Sequence, residues 1–161
     1  MEVAARPASV ADIPEVADLA ETATAELRPR RGGEVWYRSD ARHGSVSDSI
    51  RADIDDPEAD LAVGTIDGTI VGYGVMRVHV AHEGTKYGRL SDLYTLPDAR
   101  GVGIGEAVMN HLIERARERG CAGIESIALP GDRHTKNFFE SFGLVARAIL
   151  VHRSLETDDE A

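Results

Sequence analysis

The chain has 161 residues, with 28 acidic against 18 basic side chains, a formal net charge of −10 and one cysteine. That length buries one core but not two, so a single domain is expected over residues 1–155, followed by an acidic, solvated tail at 156–161. The carboxylate surplus argues against a nucleic-acid partner, no apolar run is long enough to cross a membrane, and the lone Cys121 excludes an internal disulfide and offers no structural zinc site.

In chain order, Val3 and Ala5 open a short strand. Ser9 followed by Asp12 resembles a capping box ahead of a helix whose Ile13, Val16, Ala17, Leu19 and Ala20 share a face and which ends near Arg28-Pro29. Residues 30–58 are rich in Gly, Arg, Asp and Ser, with one short helix expected around Trp36 and another over 46–54. From Asp60 the period changes to two, with Leu61 and Val63 leading into Ile66-Asp67-Gly68-Thr69-Ile70, a hairpin signal. The second strand continues through Val71, Tyr73, Val75 and Val78, and a third covers 87–96 after the Glu83-Gly84 turn.

The clearest helix comes next. Ile104, Val108, Leu112 and Ile113 lie on one face, Glu106, Asn110, Glu114 and Arg117 on the other, and Gly120 is the stop. A strand over 123–129, a short amphipathic helix over 135–142 and a closing strand over 144–155 complete the expected order β-α-α-β-β-β-α-β-α-β. The fold class is α/β of the α+β kind.

The chemistry is concentrated in Leu93-Tyr94-Thr95-Leu96-Pro97-Asp98-Ala99-Arg100-Gly101-Val102-Gly103-Ile104-Gly105, a strand leading through a loop into a helix with three glycines at its start. The first helical turn has backbone N–H groups without helical acceptors and the positive end of the dipole, and residues without Cβ let an anion approach them. Arg100 adds a cationic donor. The same glycines would also serve a tight turn with no ligand. A dinucleotide fingerprint is excluded because Glu106 and Val108 stand where its last glycine belongs, and a P-loop because no Gly-Lys-Ser/Thr follows.

Here the sequence resembles the GNAT acetyltransferase superfamily, whose coenzyme A loop Arg/Gln-x-x-Gly-x-Gly/Ala is matched by Arg100-x-x-Gly103-x-Gly105. Asp92-Leu93-Tyr94-Thr95-Leu96-Pro97 is similar to the family's central strand, and Asn137-Phe138-Phe139-Glu140-Ser141-Phe142-Gly143-Leu144 to its closing helix, so the likeness covers roughly residues 60–155. The resemblance implies a mixed, mostly antiparallel sheet flanked by helices. It also implies acetyl-CoA as cosubstrate, direct transfer to an amine of a small molecule or protein, and a central strand splayed from its neighbour around the acyl-pantetheine. Leu93, Thr95 and Leu96 would contact the pantetheine, and Arg100, Gly101, Val102, Gly103, Ile104, Gly105 and Glu106 the diphosphate. No metal is implied.

An alkylammonium acceptor must lose a proton before it attacks, and the oxyanion that forms needs aimed donors. Asp92 is the candidate acceptor-binding carboxylate or base; as an ordinary strand residue it would be solvated or salt-bridged. Phe139 occupies the slot where many relatives carry a tyrosine proposed to protonate the leaving thiolate, which phenylalanine cannot do. Tyr94, Cys121, His134 or water would have to substitute. Asp132 falls where an asparagine often contacts the cofactor, and a carboxylate there repels phosphate. Trp36, Tyr37 and the arginines at 28–31 lie in the segment that shapes the acceptor pocket in the family.

The alternatives are an acetyl-CoA-binding module without turnover and a pure interaction protein. The overall negative field attracts a cationic acceptor. A cytoplasmic protein is expected, since the N-terminus lacks a signal-peptide pattern. Dimers are the commonest closed assemblies, which makes a homodimer the default. The acid surplus with only Lys86 and Lys136 as lysines fits a saline cytoplasm or a GC-rich genome equally.

Overall fold

The computed structural model describes residues 1–157. Five strands form one sheet in sequential order: β1 (Val3–Pro7), β2 (Ala59–Ile66), β3 (Thr69–Val80), β4 (Lys86–Thr95) and β5 (Gly123–Ser126). The first four pair antiparallel, and β5 joins β4 in parallel. Five helices cover the sheet: α1 (Ile13–Leu27), α2 (Gly33–Ser39), α3 (Val46–Asp55), α4 (Ile104–Glu118) and α5 (Arg133–Ser141). The expected class, a mixed and mostly antiparallel sheet flanked by helices, is the one observed.

Two cores follow from the alternation of side chains across the sheet. On one face α1 turns Ile13, Val16, Leu19, Ala20 and Ala23 onto Leu61, Val63, Tyr73, Val75 and Tyr94, with Ile50 of α3 closing the edge. On the other, α4 sets Val108, Met109, Leu112 and Ala116 against Ala62, Met76 and Leu90, with Phe139 of α5. Helix α4 lies close because the strands beneath it carry glycine: a Cβ at Gly72 would meet Ile104 Cγ2 at 2.9 Å, and one at Gly74 would meet Val108 Cγ1 at 2.8 Å. The β2–β3 hairpin turns on Asp67 and Gly68, both at positive φ (48° and 83°), as a two-residue turn matched to strand twist requires.

Three details differ from the expected order and bounds. Both short helices of the 30–58 stretch form, so three helices, not two, separate β1 from β2. The expected closing strand over 144–155 has no strand pairing, and Val145, Ile149, Leu150, Val151 and Leu155 are exposed. Period-two patterning suits a strand but does not supply the neighbour whose backbone groups complete a ladder. The strand expected over 123–129 likewise ends at Ser126. Side chains tether the closing segment: Arg147 pairs with Glu125 of β5 at 2.7 Å and Glu156 with Arg38 of α2 at 2.7 Å. The rest of the expected acidic tail, 158–161, lies outside the described residues. Among the described residues no helix is long and apolar enough to cross a membrane.

Candidate functional site

The site begins where two paired strands part. Strand β5 pairs with β4 from Tyr87 to Leu90 and no farther. At that point β4 carries one extra residue, Ser91, because Val75 stands opposite Asp92 while the adjacent Met76 stands opposite Leu90. Such a bulge bends its strand and increases local twist. The Leu96 N–H donates to Val71 O at 2.9 Å on the β3 side. By alternation, the N–H and C=O groups of Leu93 and Thr95 point the other way, into the gap that β5 has left.

The gap runs into the glycine loop. Residues Pro97–Ala99 make a 3₁₀ turn, then Gly101 (φ 80°) and Gly103 (φ 97°) take left-handed conformations that side-chain-bearing residues rarely adopt. Gly103 caps α4 without any side-chain acceptor, so the N–H groups of Ile104, Gly105 and Glu106 have no helical partner. Ala107 N, donating to Gly103 O at 3.0 Å, is the first to close a helical ring. Open space lies where a Cβ on Gly101 would be, whereas one on Gly105 would sit 3.2 Å from the Phe138 ring. These residues fit a phosphate group: backbone donors without helical acceptors, open space at Gly101, and a helix dipole behind them, with the Glu106 carboxylate 3.5 Å from where a Cβ on Gly103 would be.

Arg100 is held by α1 and β4. Its Nη2 lies 3.0 and 3.2 Å from the Glu26 carboxylate, its Nε donates to Thr95 O at 2.9 Å, and its guanidinium stands 5.4 Å from the Tyr94 ring centre. Tyr94 donates to Glu26 at 2.8 Å. Burial and then the Glu26 carboxylate push its phenol up to about 12, so it stays protonated.

Asp92 sits at the centre of a buried ion-pair network. Its carboxylate accepts from Arg42 Nε and Nη2 (3.0 Å each), Tyr73 Oη (2.7 Å) and Ser91 Oγ (2.6 Å), two donors on each oxygen. Arg42 also reaches Asp53 at 2.6 Å and Ser49 at 3.2 Å, and Asp53 is held in turn by Arg77 at 2.5 Å. A carboxylate offers about four lone-pair sites, and all of these are taken. Burial disfavours the Arg42 charge, but Asp92 and Asp53 outweigh it and raise its pKa. Burial first, then Asp92, raises the Tyr73 phenol well above its ordinary value.

The other candidates fall elsewhere. His134 is exposed on the first turn of α5. Phe139 is 7% exposed in the core beside α4, and Phe138 is the ring that meets the glycine loop. Asp132 caps α5, accepting from Thr135 N at 3.2 Å and Thr135 Oγ1 at 2.7 Å. Cys121 is half-buried at the edge of the α4 core. Arg42, Tyr73 and Glu26 were missed. The register that sets Tyr73 beside Tyr94 was available in the alternation, but Arg42 lies fifty positions from Asp92 in a loop without a periodic signal.

Two adjoining cavities lie on the α1 side of β4. The inner one, about 40 Å³, is bounded by Ala20, Trp36, Asp40, Ser91, Asp92 and Tyr94 among others. The outer one, about 370 Å³, is bounded by Glu21, Ala25, Arg28, Tyr37, His43 and Val46 among others, and the two share Thr24 and Arg42. Arg28 stacks 3.7 Å over the Tyr37 ring and pairs with Glu34 at 2.8 Å.

A sheet edge opened at a bulge thus leads directly into a glycine-led helix start. The sequence matches the acetyltransferase (GNAT) family over residues 18–144, and the chain belongs to that family. The match therefore starts within α1, well before the resemblance expected from residue 60, and ends at the first residue of the closing segment. No curated protein matches the sequence. Among solved structures, the chain is similar to a tetramutant of the BH1408 protein from Bacillus halodurans (20% identity, TM-score 0.80, covering 96% of this chain and 100% of that one). It is also similar to a transcriptional regulator from Bacillus halodurans C-125 (22%, 0.72, 96% and 100%) and to ribosomal-protein-alanine N-acetyltransferase from Brucella melitensis biovar Abortus 2308 (20%, 0.72, 96% and 100%). At these identities the likeness speaks for the fold.

Proposed function

We propose that this chain is an N-acetyltransferase that moves an acetyl group from acetyl-CoA directly to an amine. The observation that carries the reading is the continuity of two features along residues 91–106: a strand edge left open at Ser91, then an uncapped helix start behind Gly101 and Gly103. The N–H groups of Ile104, Gly105 and Glu106 would hold the diphosphate, and the backbone of Leu93 and Thr95 the pantetheine arm. Bound there, acetyl-CoA supplies an acyl group activated as a thioester.

The chain's own part is to bind, orient and stabilise. Backbone N–H groups facing the gap are fixed by the β3–β4 ladder, so they need no reorganisation to stabilise an oxyanion as it develops. The inner cavity touches Ser91 and Leu93, and an amine within it stands beside that open edge. Asp92 does not act as the base in this reading: with four donors in place it anchors Arg42 and Tyr73. The acceptor then loses its proton to water before attack. Tyr94 is the phenol nearest the edge, and its role is to hold Glu26 and through it Arg100.

The test is thiol release from acetyl-CoA in the presence of an amine panel, for the native chain and Gly103→Glu. A glutamate there places a carboxylate among the phosphate donors, and release should fall to background; undiminished release refutes the reading. One observation favours an acetyl-CoA-binding module with little turnover: Asp92 is saturated by four donors and Phe139 lies buried in the α4-side core, so neither exchanges a proton with an amine in the inner cavity. That alternative expects calorimetric binding of acetyl-CoA with no release from any amine.

A further inference from the structure

Taking the cleft as an amine-acetylating site, we propose that its acceptor is a small unbranched aliphatic polyamine. The first argument is size. The inner cavity is the narrower of the two, about 40 Å³ against about 370 Å³, which suits a slender methylene chain ending in a primary amine better than a ring or a branched carbon. The remainder of such a chain lies in the outer cavity.

The second argument is which charges remain free. The arginines that line the cavities are already neutralised: Arg42 by Asp92 and Asp53, Arg28 by Glu34. Two exposed carboxylates at the cavity margins, Asp40 at the inner and Glu21 at the outer, have no side-chain ion-pair or hydrogen-bond partner among the described residues. An acceptor carrying a carboxylate or phosphate thus meets no unpaired arginine along the cavities, while a second ammonium group meets Glu21 as the reacting one passes Asp40. The chain's net charge of −10 adds attraction at longer range.

The test compares acceptors of equal reach that differ only in the far-end group: 1,4-diaminobutane, n-butylamine and 4-aminobutanoate, with a lysine-containing neutral peptide as a fourth. In thiol-release assays kcat/KM should fall about tenfold from the diamine to the monoamine and again to the amino acid. The spacing should compress between about 50 mM and about 500 mM salt as charges are screened. Glu21→Gln should bring the diamine-to-monoamine ratio to within about threefold of one. A monoamine or amino acid that equals the diamine overturns the proposal, and so does a peptide that surpasses it.

If no amine releases thiol, calorimetric titration of the chain with 1,4-diaminobutane and n-butylamine, in the presence of coenzyme A, separates the two ideas. Diamine binding that Glu21→Gln weakens upholds the polyamine site while the transferase reading falls. Turnover of other amines without diamine binding overturns the polyamine site alone.

Discussion

Arg42→Met is the substitution whose effect follows most directly from the geometry. The guanidinium joins the loop after α2 to the middle of β4 by two bonds to Asp92 at 3.0 Å each, one to Asp53 at 2.6 Å and one to Ser49 at 3.2 Å. Side-chain exposure is 14% for Arg42, 9% for Asp53 and 14% for Asp92, so water does little to compensate when the cation is removed. Removing one partner of a buried pair costs about 3–5 kcal/mol. The lower end, about 3 kcal/mol, is expected, because Asp53 keeps Arg77 and Asp92 keeps Tyr73 and Ser91.

Against a total stability of about 5–15 kcal/mol this is a large loss, visible as a lower midpoint in urea with an unchanged slope. Arg42→Lys, which retains the charge without the fork, should fall between. Adding Asp92→Asn to Arg42→Met should restore part of the loss by removing the stranded carboxylate, and the cycle measures the coupling. A midpoint shift equivalent to less than about 0.5 kcal/mol in Arg42→Met, the range of ordinary surface changes, would refute the network's structural role.

Asp12 gives an acid-side expectation. The bond from Arg6 at 2.7 Å, opposed by burial and helped by Ser9 N–H, holds its carboxyl down at about 2. A folded-state value below the unfolded one contributes stability above about pH 4 that disappears as pH falls towards 2. With Arg6 46% exposed, screening reduces the contribution to about 1–2 kcal/mol, and Asp12→Asn should flatten the dependence of the thermal midpoint in that window.

The alkaline side has the opposite sign. Burial raises Tyr73, and burial with Glu26 takes Tyr94 up to about 12, so stability present below the unfolded tyrosine value is lost as pH rises through the folded ones. Absorbance titration near the phenolate band at pH 11 should leave at least these two of the four tyrosines un-ionised until the chain is denatured. Phe139→Tyr should lower stability by about 1–3 kcal/mol without accelerating thiol release, because its hydroxyl would enter the core beside Met109 and Leu112. A faster enzyme of undiminished stability would mean that α5 turns this position to the cleft.

The sequence by itself determined whatever depends on neighbours in the chain. Periods of 3.6 and two marked α1, α4 and the strands β2 to β4, Asp67-Gly68 marked the hairpin, and the glycines at 101, 103 and 105 marked a helix start open to an anion, because helix faces, strand alternation and turn φ angles are local. The closing segment shows where that stops: an apolar alternation over 144–155 is necessary for a strand, but a ladder needs a partner edge.

The site's polar network was beyond local rules altogether. Asp92 was legible as a carboxylate beside the cleft, yet its state is set by Arg42 and Tyr73, fifty and nineteen residues away. Only the tertiary structure could convert a candidate base into the anchor of an ion-pair network, because Arg42 and Tyr73, which supply three of the four donors to Asp92, come from two separate segments that folding brings within 3.0 Å of it.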